Sequence, residues 1–156
     1  MTIIPQLFEE IDSCKYLFLR DITEPNDNSL LLLIEEASAS PESVTREVGG
    51  AKFTDLHPIE STDQSRLFEV LWDSYIAYSV RNESFVPADD SEIVLLGRLV
   101  RVYSKSNYLD YVSRATFAVA TNPDPLLHVG MICENHIIDV VSIDLPRVRK
   151  LRPTQS

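Results

Sequence analysis

The sixteen residues RLFEVLWDSYIAYSVR, Arg66 to Arg81, decide the fold class. Phe68, Val70, Trp72, Ile76, Tyr78 and Val80 share one parity, and Glu69, Asp73, Ser79 and Arg81 share the other. Successive side chains of a strand point to opposite faces, so this alternation describes a strand with one buried and one solvated side. Leu67, Leu71 and Tyr75 sit on the polar parity four residues apart, which leaves a helix over the first half as the competing reading. At about 3.3 Å per residue a single strand here would run to about 50 Å, too long to stay flat. A bend or bulge is therefore expected near Ser74.

The segments on either side follow the same logic. Towards the amino terminus, Ile4, Leu7, Phe8 and Ile11 recur at helical spacing, with Thr2 able to cap and Pro5 tolerated in the first turn. Tyr16 to Ile22 reads as a strand, the cluster Glu24-Pro25-Asn26-Asp27-Asn28 as a turn, and Ser29 to Glu36 as the returning strand. Residues 37–65 thin into Ser, Thr, Pro, Glu and Gly, a length that implies short irregular strands such as Lys52 to Leu56, with a mobile piece near Ser38 to Ser43.

Towards the carboxyl terminus, Asn82 to Ser91 reads as an acidic loop and Ile93 to Ser104 as a strand interrupted at Gly97. Ser106 is placed to cap a helix carrying Leu109, Val112 and Ala115, and Pro123 and Pro125 stop helical structure beyond it. Leu126 to Cys133 and Ile137 to Ile143 flank Glu134-Asn135-His136 as a tight hairpin. Strands outnumber helices, and hairpin spacing dominates over β-α-β spacing. The expected fold is α+β: a mainly antiparallel twisted sheet or open barrel with one or two covering helices. One domain over residues 1–156 is expected, with a less regular segment at 37–65 and a short basic tail at 147–156.

Composition narrows the function classes. With 44% hydrophobic and 24% charged residues the chain belongs among ordinary folding domains. Its longest apolar run, Leu30 to Ile34, is far too short for a bilayer, and Met1 to Glu10 has no basic leader, so no membrane association and a cytoplasmic address are expected. Cys14 and Cys133 stand far apart and fit buried free thiols better than a disulfide in that compartment.

No catalytic signature appears. The four glycines, Gly49, Gly50, Gly97 and Gly130, form no phosphate cradle. His57, His128 and His136 lack metal-ligand spacing, and no metal or other cofactor is expected. The adjacent pairs Glu9-Glu10, Glu35-Glu36 and Asp89-Asp90 diverge on strand or helix, so they read as solvating charge. Cys133 and His136 would face each other across the hairpin as a thiol beside an imidazole, though without an evident oxyanion hole. Asp139, between Ile137, Ile138, Val140 and Val141, is either a buried carboxylate in need of a cation, with Arg98, Arg101 and Arg114 as candidates, or a solvated edge residue.

Charge is the feature with functional content. Residues 1–96 hold 19 acids against 6 bases, and residues 97–156 hold 5 against 8, for a net charge of -10. Such a chain repels phosphate backbones, which argues against nucleic acid, and attracts cationic partners. The expected function is capture of a basic protein in the manner of a small bacterial immunity protein or antitoxin. Glu24, Asp27, Asp89, Asp90 and Glu92 would be the contacting acids, with Trp72 and Tyr75 as anchors. The alternative is a small-ligand binder or enzyme with a pocket in the curved sheet, lined by Tyr78, Tyr103, His128, His136 and Asp139. A third possibility is that the charge only keeps the domain soluble.

Overall fold

The structure, a computed structural model, describes residues 6–121 and 124–152. Helix α1 (Gln6–Asp12) leads into β1 (Tyr16–Thr23) and β2 (Leu30–Ala39), followed by the short strands β3 (Val44–Val48), β4 (Ala51–Leu56) and β5 (Ile59–Glu60). Then come β6 (Leu67–Trp72), β7 (Ala77–Asn82), a 3-10 turn at Glu83–Phe85, β8 (Ile93–Leu96) and β9 (Val100–Lys105). Helices α2 (Asn107–Ala115) and α3 (Ala118–Thr121) precede β10 (Leu127–Ile132), β11 (His136–Ser142) and β12 (Arg147–Arg152). Thr2, Ile4 and Pro5, expected to open the first helix, and Pro123, expected to end the last, lie outside the described residues.

The architecture is sheet-dominated and antiparallel. One sheet runs β1-β2-β6-β12 with β5 against the end of β2, a second runs β7-β11-β10-β9-β8, and β3-β4 is a separate hairpin. The stretch from Arg66 to Arg81 is thus two strands rather than one, and they belong to different sheets. The break falls at Asp73–Ile76, where the bend was expected, and carries the chain from the first sheet to the second. The helical alternative for its first half fails because Phe68, Val70 and Trp72 bury completely on one side while β2 and β12 pair with both edges of β6.

Inner-face residues of both sheets join one core. Leu30, Leu32 and Ile34 face Trp72, Val70 and Phe68 across the β2-β6 register, and Val100, Val102, Val129, Met131, Ile138 and Val140 close it from the second sheet. Phe8 and Ile11 of α1 pack into the same cluster. Two polar clamps fix the layers. Asp12 Oδ1 accepts from the backbone N–H groups of Arg98, Leu99 and Val100 at 2.7, 2.6 and 2.8 Å, tying α1 to the turn between β8 and β9. That turn needs Gly97, whose φ is +92° and where a Cβ would stand 1.7 Å from the Val100 carbonyl oxygen. Asn135, in the β10-β11 turn, accepts from Leu19 N–H at 3.0 Å and donates to Leu19 C=O at 2.9 Å, joining the second sheet to β1.

Two expectations are corrected by these pairings. Residues 147–152 form an edge strand on β6 instead of a tail, because each base finds an acid across the sheet or on α1: Arg147 with Asp73, Arg149 with Glu69, Lys150 with Glu10 and Arg152 with Glu35. Strand β2 continues through Ala39, beyond its apolar run, because β5 pairs with Ser38 and Ala39, so the start of the expected mobile piece is regular sheet.

Candidate functional site

The outer face of the second sheet, turned away from the core, carries the densest chemistry. Register places Ser79, Asp139, Gly130 and Arg101 in one row across β7, β11, β10 and β9. His128 on β10 and Arg81 on β7 each lie two residues from that row, so both reach Asp139 on the diagonal. His128 Nε2 is 2.8 Å from Asp139 Oδ1, and Arg81 Nη2 donates to Asp139 Oδ2 at 3.1 Å. His128 Nδ1 meets Ser106 Oγ at 2.6 Å. Ser106 is also the N-cap of α2, its Oγ accepting from Leu109 N–H at 3.0 Å. One hydroxyl thus serves both the helix cap and the imidazole, tying α2 to the His128-Asp139 pair.

Gly130 makes this assembly possible. A Cβ there would stand 2.8 Å from Tyr103 Cε2 and 3.4 Å from Asp139 Oδ1. The vacant position lets the Tyr103 ring lie over the strand and stack on His128, with centroids 4.4 Å apart and planes inclined by 16°. Burial pushes the phenols of Tyr103 and Tyr108 above their ordinary range, so both remain donors at neutral pH.

Asp139 is therefore the buried carboxylate of the two readings, 3% exposed. Its cation is Arg81, none of the three arginines expected. Arg98 is engaged by the carbonyls of Asp12 and Cys14, Arg101 Nε donates to the Arg98 carbonyl, and Arg114 lies exposed on α2. Arg81 stood on the polar parity of its strand; the missing knowledge was that β7 neighbours β11, a long-range pairing that no local pattern encodes.

Above this floor opens a cleft of about 300 Å³ lined by Ser79, Arg81, Asp139, Asn107, Tyr108 and Tyr111 together with the loop residues Asp89 and Glu92. A second cleft of about 210 Å³, which includes Val94, Arg101 and Tyr103, shares Arg81, Asp89 and Glu92 with it. Glu92 accepts from Asn107 N–H at 2.9 Å at the start of α2, and Asp89 accepts from the Asn107 side-chain amide. Hydrogen bonds from Ser91, first its hydroxyl and then its N–H, hold the Asp89 carboxyl below its usual range. Among the charged residues of this lining, three carboxylates stand against one guanidinium.

The remaining expected site residues divide. Glu24 and Asp27 line a different cleft, of about 450 Å³, with Tyr75. The Tyr75 hydroxyl donates to Glu24, and that hydrogen bond pushes the phenol up to about 12. Asp90 is exposed in the loop beside Asp89. Trp72 is corrected as an anchor: it is 1% exposed, filling the core opposite Leu30. Tyr78 packs edge-on against Tyr75 at 4.8 Å and against the core, and His136 begins β11 opposite Asn82, so neither lines these clefts. The expected pocket residues are divided: Asp139 lines the first cleft, Tyr103 the second, and His128 is buried and lines neither. Asn107, Tyr108 and Tyr111 escaped the sequence reading because only the docking of α2 on the outer sheet face gives them a role.

The thiols are chemically quiet. Cys133 and His136 meet backbone to backbone, Cys133 N–H donating to the His136 carbonyl at 2.9 Å. Burial pushes both Cys14 and Cys133 up to about 12, so neither supplies a thiolate at neutral pH. Both are free. Ser106 is buried under α2 and unreachable as a nucleophile. Among the described residues no group of three or more His, Cys, Asp or Glu is arranged to hold a metal ion, and no helix is long and apolar enough to cross a membrane. The arrangement fixes the Asp139 carboxylate, held by His128 and Arg81, at the floor of an open cleft. No protein-family model, curated protein or solved structure matches the chain.

Proposed function

We propose that the protein acts by binding a basic protein partner, a Lys or Arg side chain of which enters the cleft between the 86–92 loop and α2. The observation that supports this most is the composition of that cleft: Asp89, Glu92 and Asp139 against Arg81 alone, flanked by the rings of Tyr108 and Tyr111. Carboxylates attract the cation over distance, and tyrosine faces favour it at contact. The second reading, a small amine-bearing ligand in the same cleft, is favoured by the stacked Tyr103-His128 pair and the fixed Asp139 carboxylate beneath it. An inhibitor of the immunity or antitoxin type is the concrete form of the first reading.

Affinity capture from native lysate at low and high salt tests the two together. The wild type is compared with a triple variant, Asp89→Asn, Asp90→Asn and Glu92→Gln, and with a control neutralised at Glu42 and Glu47. Basic proteins recovered at low salt, released at high salt and lost only with the loop variant support the partner reading. Recovery that ignores salt and the loop variant, with a small amine raising the melting temperature instead, contradicts it and favours the ligand reading.

A further inference from the structure

Strand β8 is an edge of the second sheet, paired on one side with β9 and by no strand on the other among the described residues. Its four residues are all apolar and all exposed: Ile93 52%, Val94 38%, Leu95 64% and Leu96 41%. Proteins ordinarily blunt such an edge with charge or proline, because its free N–H and C=O groups template another strand. Neither charge nor proline stands on β8 itself, which is limited only by its four-residue length and irregular register. The register also shifts along β8, with Val94 opposite Tyr103 and Leu96 opposite Val102, so Leu95 is an extra residue and its neighbours turn to opposite faces of the sheet. Each opens on a cleft with carboxylates at its rim. Val94 borders the one that contains Asp89 and Glu92. Leu96 borders another, of about 350 Å³, between α1 and β9, where Glu9 and Asp12 stand.

We propose that the free edge of β8 is where the basic partner docks, by adding an extended segment as a further strand. Main-chain hydrogen bonds to β8 supply affinity, and side chains on the two faces of the added strand enter the two clefts. The acids at both clefts select a segment in which apolar residues alternate with Lys or Arg. This rests on the basic-partner reading and specifies its geometry.

The probe is the acetylated and amidated peptide of four Lys-Val repeats, titrated against the intact protein. Expected are protection of the Ile93–Leu96 amides from hydrogen exchange by about tenfold and an affinity about fivefold weaker in the double variant Val94→Ser, Leu96→Ser. Both substituted positions are exposed, so the variant keeps its fold and its charge. Salt-sensitive binding that leaves these amides unprotected and the variant unaffected overturns strand addition while the basic-partner reading stands. Absence of binding overturns strand addition alone, since capture from lysate judges the partner independently. A dimer in sedimentation that dissociates in the double variant overturns it as well, because a second copy then occupies the edge.

Discussion

At the scale of single residues the site depends on one carboxylate and one missing side chain. Asp139 is buried between His128 and a half-exposed Arg81, so replacing it leaves the buried His128 Nε2 without its partner, while Arg81 turns to water. Asp139→Ala is expected to lower unfolding free energy by about 3 kcal/mol, measured by urea titration, because breaking a buried pair leaves its partner unsatisfied. An unchanged midpoint would mean that the carboxylate is solvated and the network adds nothing. Gly130 is the complementary case. Gly130→Ala puts a Cβ 2.8 Å from the Tyr103 ring, forcing it off His128. A loss of about 1–3 kcal/mol is expected from overpacking, and the substitution should also shift the Tyr103 ring resonances. A neutral substitution would show that the ring has room to move.

At the scale of elements, most of the fold could be read from local pattern, and the site could not. The hairpin β10-β11, the cap at Ser106 and the interruption at Gly97 follow from periodicity and from what serine and glycine do to a backbone. The alternation through residues 66–81 gave the strands, but parity alone does not reveal that the chain changes sheets at Asp73–Ile76. Arg147–Arg152 looked like a tail because charge obscured its alternation; the acids that make it a strand, Glu69 and Asp73 among them, are distant in sequence. Arg81, Asn107 and Tyr108 gain their roles only through pairing of β7 with β11 and the seating of α2. One turn residue carries a comparable long-range contact. Asn135 makes both of its hydrogen bonds to Leu19, so Asn135→Ala should cost about 2 kcal/mol by the net worth of two such bonds. Hydrogen exchange at Leu19 should quicken in that variant; exchange as slow as in the wild type would show that the clamp does not hold the sheets together.

At the scale of the molecule, charge has two fates. Among the described residues, ion pairs engage seven of the 14 Lys and Arg but only six of the 24 Asp and Glu, so the excess negative charge stays on the surface. The bases of β12 are consumed by acids of the leading part of the chain, which confines the free negative charge chiefly to loops. The paired acids set the response to pH. A hydrogen bond from Lys150 holds Glu10 below its ordinary 4.5, and one from Arg66 does the same for Glu36. At Glu35, burial pushes upward but hydrogen bonds from Arg20 and Arg152 prevail. A carboxylate whose folded pKa is depressed stabilises fully above its unfolded value and loses that contribution as pH falls through the folded one. The thermal midpoint should therefore begin to drop below about pH 4.5, less steeply in Glu36→Gln, which is also less stable at neutral pH. A drop that begins between neutrality and pH 6 would place the sensitive groups elsewhere.

The central claim is that the acids around the 86–92 loop meet a cation. Its most direct measurement is the affinity for the captured basic partner as a function of salt concentration, in the wild type and in the triple loop variant. The account predicts a steep decline with salt in the wild type and a shallower, weaker curve in the variant. Equal slopes and equal affinities in the two proteins would contradict it.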